Sequence, residues 1–123
     1  MITTPAYAPA AAPLLDWKRA KGLTVRLATT EETGATNVAV RDWLRAAYAS
    51  WDAPPEYVLI LGDVADVPAW SFSQNVTDLP YALMDDGDWL PDLMLGRMSV
   101  SSIAEAQAVV NKSVAYERDP YRA

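Results

Sequence analysis

The apolar run Tyr57–Leu61 constrains the fold of this chain more than any other segment. It is short, it has no charged or small polar residue, and Pro54 and Pro55 separate it from the preceding stretch. A strand of this kind is typical of a parallel sheet that is covered on both faces. Because helical patterns lie before and after it, the strands must be joined by crossover connections. The sequence therefore predicts a three-layer α/β sandwich with a mostly parallel sheet.

Further predicted helices and strands alternate along the chain, as this fold requires. Helices are predicted over residues 8–21, 36–51 and 103–118. Additional strands are predicted over residues 2–4, 23–29, 81–84 and 93–95. Thr36 or Asn37 is expected to cap the second helix. Ser102 and Glu105 form a capping box, in which each side chain satisfies a free backbone donor at the start of the last helix.

The length and charge of the chain limit its class. Its 123 residues suffice for one compact domain, residues 1–123, and not for two. The formal net charge of -6 argues against a nucleic-acid partner, which requires clustered lysine and arginine side chains. No apolar run approaches the roughly 20 residues that a membrane span needs. The first residues show no signal-peptide pattern.

The chain contains neither cysteine nor histidine. Disulfides and thiolate metal sites are therefore excluded. A serine triad is excluded as well, because no histidine is available as the base for a serine nucleophile. We therefore expect the chain to have no peptidase activity on its own.

An acidic loop, residues 85–92, is the most informative stretch for function. Four aspartates fall within these eight positions, and closely spaced carboxylates repel one another. Asp86, Asp88 and Asp92 stand at relative positions one, three and seven, and the Leu90 carbonyl stands at position five. Alternate oxygen donors of this kind wrap hard cations such as Ca²⁺. The pattern predicts a calcium site or, on an equal footing, a solvated acidic turn.

Gly62 and Asp63 directly follow the buried strand, and Asp63 is placed at the edge where functional residues of parallel sheets gather. It either caps the next turn or faces a ligand at this edge. If the strand predicted over residues 81–84 lies nearby, Asp63 and the acidic loop share one ion. Arg97, which follows another predicted strand, is expected to form an ion pair with the acidic loop.

Several segments of the chain together resemble the gingipain family of cysteine peptidases. They are Leu14-Leu15-Asp16-Trp17-Lys18-Arg19, Lys21-Gly22-Leu23, Tyr57-Val58-Leu59-Ile60-Leu61-Gly62-Asp63, Asp66-Val67-Pro68, Asp86-Gly87-Asp88 through Asp92, Leu95-Gly96-Arg97 and Ala115-Tyr116-Glu117-Arg118. Their order and spacing fit the N-terminal subdomain of the family over nearly the whole chain.

The resemblance implies a caspase-like fold, in which two α/β subdomains lie side by side and the second holds the catalytic cysteine and histidine. This chain is then the non-catalytic half, a scaffold for the catalytic subdomain of the same peptidase. The resemblance also implies that a structural calcium ion is held by Asp63, Asp86, Asp88, Asp92 and the Leu90 carbonyl. Family members are typically secreted bacterial enzymes, which implies an extracellular location. A half without its partner keeps an uncovered flank, so self-association is expected.

Two other functions are compatible with the pattern. A free-standing module of doubly wound α/β type would bind calcium or a partner through its acidic edge, without enzymatic activity. A phospho-acceptor domain of receiver type needs a lysine after a later strand. Lys112 lies inside the last predicted helix, so this third reading is disfavoured.

Overall fold

The computed structural model describes residues 1–121. Its strands are β1 (Ile2–Thr3), β2 (Ala28–Thr29), β3 (Tyr57–Leu61), β4 (Trp70–Phe72), β5 (Asn75–Thr77) and β6 (Met94–Met98). Its α-helices are α1 (Ala8–Ala20), α2 (Thr30–Thr33), α3 (Asn37–Ser50) and α4 (Ile103–Arg118), and a 3-10 turn covers Leu79–Ala82. None of the helices within residues 1–121 is long and apolar enough to cross a membrane.

Four strands form one parallel sheet in the order β2-β1-β3-β6. The buried run predicted as a strand is β3, and it lies inside the sheet between β1 and β6. Its side chains alternate between the two faces, as the period of two requires. Val58 and Ile60 join the core cluster on the α3 side, which includes Val40 and Leu44. Leu61 joins the cluster on the opposite side.

Helices α1 and α4 pack together on that opposite face of the sheet. Ala11 and Leu14 of α1 meet Ala106 and Val110 of α4 in one buried cluster. The small alanines allow the two helices to approach closely over the sheet. With α3 on the other face, the predicted three-layer α/β sandwich is confirmed.

The predicted helix caps are also present. The Thr36 side chain accepts a hydrogen bond from the Ala39 amide at 3.1 Å, and the Ser102 side chain accepts one from the Glu105 amide at 3.1 Å. The Glu105 carboxylate accepts from the amide of Ser101, at 2.7 Å, one residue earlier than the capping box requires.

The predicted chain path differs from the structure in several places. Residues 81–84 are not a strand: the 3-10 turn Leu79–Ala82 replaces it, with Pro80 in its first turn and Tyr81 fully buried. The strand predicted over residues 23–29 is reduced to Ala28–Thr29. The antiparallel hairpin of β4 and β5 was not predicted at all.

Candidate functional site

The carboxyl end of β3 turns sharply into a short acidic segment. Gly62 has a φ of 139°, which favours glycine, and its amide donates to the Met98 carbonyl of β6 at 3.0 Å. The next residue, Asp63, accepts hydrogen bonds from the Val64 amide at 2.8 Å and from the Ser99 hydroxyl at 3.1 Å. Its own amide donates to the Asp66 carboxylate at 3.1 Å. Asp63 therefore acts as a turn cap that joins the ends of β3 and β6.

A polar group of side chains lies near the point where the strand order reverses between β1 and β3. Burial raises the pKa of Tyr7, and the carboxylates of Asp66, Glu105 and Asp63 add to that rise. The Thr4 hydroxyl oxygen is buried there without a hydrogen-bond partner among the described residues. This is the edge where open α/β sheets bind ligands. The side chains carry oxygen atoms and no nucleophile activated by a base.

Arg97 links several backbone segments at this edge and does not contact the acidic loop. It makes two hydrogen bonds of 2.7 Å to Asp78 and donates to the carbonyls of Gly62 and Val67 at 2.9 Å. The predicted ion pair between Arg97 and the acidic loop was therefore wrong. The reason is position: Arg97 lies near the carboxyl end of β6, whereas residues 85–92 precede that strand.

Backbone amides in the acidic loop and just before it donate hydrogen bonds to the carboxylates of the loop. The Asp92 carboxylate accepts from the Met84 amide at 2.8 Å, and the Asp88 carboxylate accepts from the Leu90 amide at 2.8 Å. The Asp88 bond, from an amide two residues later, is typical of tight turns, whereas the Asp92 bond links the end of the loop to the residue before it. Each of these carboxylates thus already has one donor.

Arg45 of α3 provides the positive charge at this loop. Its guanidinium donates to the carbonyls of Leu83 and Asp85 at 2.9 and 3.2 Å, and to the Asp86 carboxylate at 2.9 Å. The hydrogen bond from Arg45 lowers the pKa of Asp86. Sequence reasoning missed Arg45, because a contact across 41 positions leaves no local pattern.

The structure does not bring Asp63 to the acidic loop. Asp63 contacts Ser99, just beyond the carboxyl end of β6, whereas Asp92 precedes the amino end of the same strand. Five residues of β6 lie between the two, which at about 3.3 Å per residue is roughly 16 Å. Within residues 1–121, no three acidic side chains converge closely enough to hold a metal ion.

The donors of the loop nevertheless have the chemistry that a hard cation requires. Asp86, Asp88 and Asp92 offer carboxylate oxygens, and Leu90 offers a carbonyl oxygen at the intervening position. Asp86 and Leu90 are strongly exposed, at 88% for the Asp86 side chain and 70% for Leu90. The three carboxylates and the Leu90 carbonyl belong to one loop, whereas Asp63 lies beyond the opposite end of β6.

Known proteins match the chain along nearly all of its length. The model of peptidase family C25 matches residues 1–123. Lys-gingipain of Porphyromonas gingivalis is 32% identical over 113 residues, which cover 86% of this chain and 6% of the relative. A solved structure described as a protease is 28% identical with a TM-score of 0.87 and covers 95% of this chain and 27% of the other.

The fold is also that of a solved complex of the Porphyromonas gingivalis RgpB pro- and mature domains. That likeness has a TM-score of 0.86 at 23% identity and covers 94% of this chain and 28% of that chain. The parallel sheet flanked by helices is therefore of the caspase-like, gingipain type. The chain spans only a small part of the relatives it matches, and throughout its length it belongs to peptidase family C25, the family of the gingipains.

Proposed function

We propose that this chain is the non-catalytic N-terminal subdomain of a gingipain-like cysteine endopeptidase. The observation that carries the proposal is the match of the family over residues 1–123 in a chain without cysteine or histidine. A cysteine peptidase needs a thiolate nucleophile and a histidine that carries its proton. Both must then come from the rest of the protein, and this chain serves as the scaffold on which they are positioned.

The sheet offers a flank for that catalytic subdomain. Within residues 1–121, β6 pairs with β3 and with no other strand. At the start of this edge strand, Met94 is 66% exposed, and its register partner Tyr57 on β3 is 61% exposed. Large exposed apolar side chains at an unpaired strand edge favour a covering partner. We assign that role to the catalytic subdomain of the same protein.

A structural calcium ion is the second part of the proposal. It rests on the oxygen donors of the acidic loop at Asp86, Asp88, Leu90 and Asp92. Asp63, which the resemblance included, lies at the other end of β6 and is a turn cap in this arrangement. An extracellular location, where calcium is abundant, agrees with such a site and with the secreted nature implied by the gingipain resemblance.

The proposal is tested by comparing the purified chain with the complete product of its gene. We expect thiol-dependent cleavage of peptides only from the product that carries a downstream cysteine and histidine. Cleavage by the purified chain would contradict the assignment of the chemistry to the other subdomain. A gene without a downstream cysteine–histidine pair would favour the alternative, a free-standing calcium-binding or interaction module without enzymatic activity.

A further inference from the structure

We infer that two copies of this chain pair through β6, as antiparallel edge strands related by a two-fold axis that passes beside Gly96. The proposed function gives the same edge to the catalytic subdomain, so the two associations exclude each other. The pairing itself needs only the free edge of β6, and it concerns the chain without that subdomain.

The backbone of β6 has hydrogen-bonding groups that point away from the sheet. Toward β3, the Met94 amide donates to a carbonyl at 2.8 Å, and the Met98 carbonyl accepts from an amide at 3.0 Å. Because the backbone groups of successive strand residues point in opposite directions, those of Leu95 and Arg97 face away from β3. Within residues 1–121, these outward amides and carbonyls have no backbone partner.

The sequence of β6 does not protect this edge. Natural sheets blunt their edges with short strands, proline, bulges or charged side chains. β6 has five residues without proline and runs in unbroken register with β3. Its one charged side chain, Arg97, is held by Asp78 and is only 12% exposed. The opposite edge strand, β2, has only two residues, so β6 is the edge of this sheet that can accept a further strand.

The free groups of β6 are self-complementary about Gly96. In an antiparallel pair, opposite residues exchange both of their N–H···O bonds at every second position. With Gly96 on the two-fold axis, Leu95 of each copy lies opposite Arg97 of the other, and the outward groups of both residues are satisfied. Gly96 then lies opposite Gly96 of the second copy, with Cα atoms about 4.5 Å apart. Met94 and Met98 also come opposite each other and bury apolar surface.

Nothing within the described chain requires a glycine at position 96. Gly96 does not have a positive φ, and a Cβ added there would meet only the Leu59 Cδ1 atom, at an ordinary contact distance of 3.6 Å. A glycine inside a strand often marks a place where another backbone approaches closely. Gly96 is exposed, so such a backbone must come from outside the chain.

The net charge of -6 favours the antiparallel arrangement over a parallel one. Asp92 ends the acidic loop four residues before Gly96. In the antiparallel pair, the two Asp92 residues are therefore separated by eight positions along the strands, or roughly 27 Å. Charges this far apart are largely screened at about 0.1 M salt, where the screening length is about 10 Å. Parallel strands would instead place the two acidic loops side by side.

Single cysteines can report which residues meet, because the chain contains none of its own. A disulfide needs Cα atoms about 4.4–6.8 Å apart, which the two Gly96 positions satisfy. In air-saturated buffer, Gly96→Cys should form a cross-linked dimer at least about tenfold faster than Leu23→Cys, because paired thiols react at a raised effective concentration. A melting temperature close to that of the wild type under reducing conditions checks that Gly96→Cys folds.

Met94 and Met98 test the register. Two copies of Met94→Cys would hold their thiols four positions apart along the strands, roughly 13 Å, which is too far for a disulfide. Met94→Cys alone and Met98→Cys alone should therefore cross-link no faster than Leu23→Cys. A mixture of the two variants, one of them isotope-labelled, should form the mixed dimer as rapidly as Gly96→Cys forms its own.

Equal rates for Gly96→Cys and Leu23→Cys would overturn the inference, as would Met94→Cys alone reacting at the rate of the mixture. A wild-type dimer in sedimentation without rapid cross-linking at Gly96 would mean that another surface pairs, and would also overturn it. In each case the proposed function is decided separately, by peptide cleavage with the complete gene product.

Discussion

Arg97 and Asp78 form a two-pronged ion pair at the carboxyl end of the sheet, with both hydrogen bonds at 2.7 Å. The pair is largely shielded, because the side chains are 12% and 23% exposed. The same guanidinium donates to the Gly62 and Val67 carbonyls. Arg97 thus connects β6, the turn after β3 and the segment that follows the β4–β5 hairpin.

Replacing Arg97 should be among the most destabilising single changes of a charged residue in this chain. Arg97→Ala leaves Asp78 and two carbonyls without their donors, and we expect a loss of about 3 kcal/mol in urea unfolding. Arg97→Lys should recover little of this loss, because lysine lacks the planar fork. As a control, Arg19→Ala removes an exposed pair with Asp16 and should cost less than about 1 kcal/mol. Similar losses for Arg19 and Arg97 would contradict the assigned role.

The two core clusters predict that the helices on both faces of the sheet are needed for stability. Leu14 of α1 and Leu44 of α3 are each 2% exposed and lie on opposite faces of the sheet. Each change to alanine should cost about 2–5 kcal/mol in chemical unfolding. Leu23→Ala, at 48% exposure, should cost less than about 0.5 kcal/mol. A small effect at Leu14 or Leu44 would mean that the corresponding helix does not cover the sheet.

The structure also shows which features the sequence could predict and which it could not. β3 and the caps at Thr36 and Ser102 follow from residues close in the chain, so local patterns predicted them. Tyr81 was assigned to a strand because a buried 3-10 turn shows the same short apolar run. The partners of Arg97 and Arg45 depend on which end of the sheet each segment reaches, and that is decided by tertiary packing. Tertiary packing likewise places Asp63 and the acidic loop at opposite ends of β6.

Glu117 should make stability depend on acidic pH. Its carboxylate accepts from Lys18 at 2.6 Å, from the Trp17 ring nitrogen at 2.9 Å and from Lys21 at 3.2 Å. The hydrogen bond from Lys18, followed by those from Trp17 and Lys21, lowers the pKa of Glu117 from 4.5 to about 2. A lowered folded-state pKa stabilises the protein above pH 4.5, and this contribution is lost as the pH falls toward 2.

Glu117→Gln should therefore flatten the decline of the melting temperature between pH 4.5 and 2, relative to the wild type. Asp16→Asn is a suitable control, because its side chain is 76% exposed and its single ion pair is on the surface. Identical pH profiles for the wild type and Glu117→Gln would show that the contact between α1 and α4 is not held by this charge.

Calcium should raise the melting temperature of the chain, and a chelator should reverse the change. A bound ion adds about 2.7 kcal/mol when its free concentration is a hundredfold above Kd. Asp88→Ala should abolish the response by removing a central loop donor, whereas Asp16→Ala should not. Asp63→Ala should change stability without removing the response, because Asp63 lies beyond the far end of β6. Loss of the calcium response in Asp63→Ala would show that Asp63 takes part in calcium binding.

The open flank beside β6 should cause the isolated chain to self-associate. Sedimentation velocity over a range of concentrations should show a species larger than the monomer. Met94→Lys places a charge at the start of this edge and should shift the distribution toward the monomer, while Leu23→Lys should leave it unchanged. A wild-type chain that remains monomeric at all concentrations would favour the free-standing module.

The place of β1 inside the sheet has a consequence for how the chain acquires its structure. Ile2 pairs with Ala28 on one side and with Ile60 on the other, so β1 can complete its pairing only with strands that are synthesised later. No two neighbouring strands of this sheet are joined by a tight turn, and such distant pairings slow folding because long loops must close first. During synthesis β1 therefore emerges before both of its sheet neighbours, and its pairing is complete only after β3 has been made.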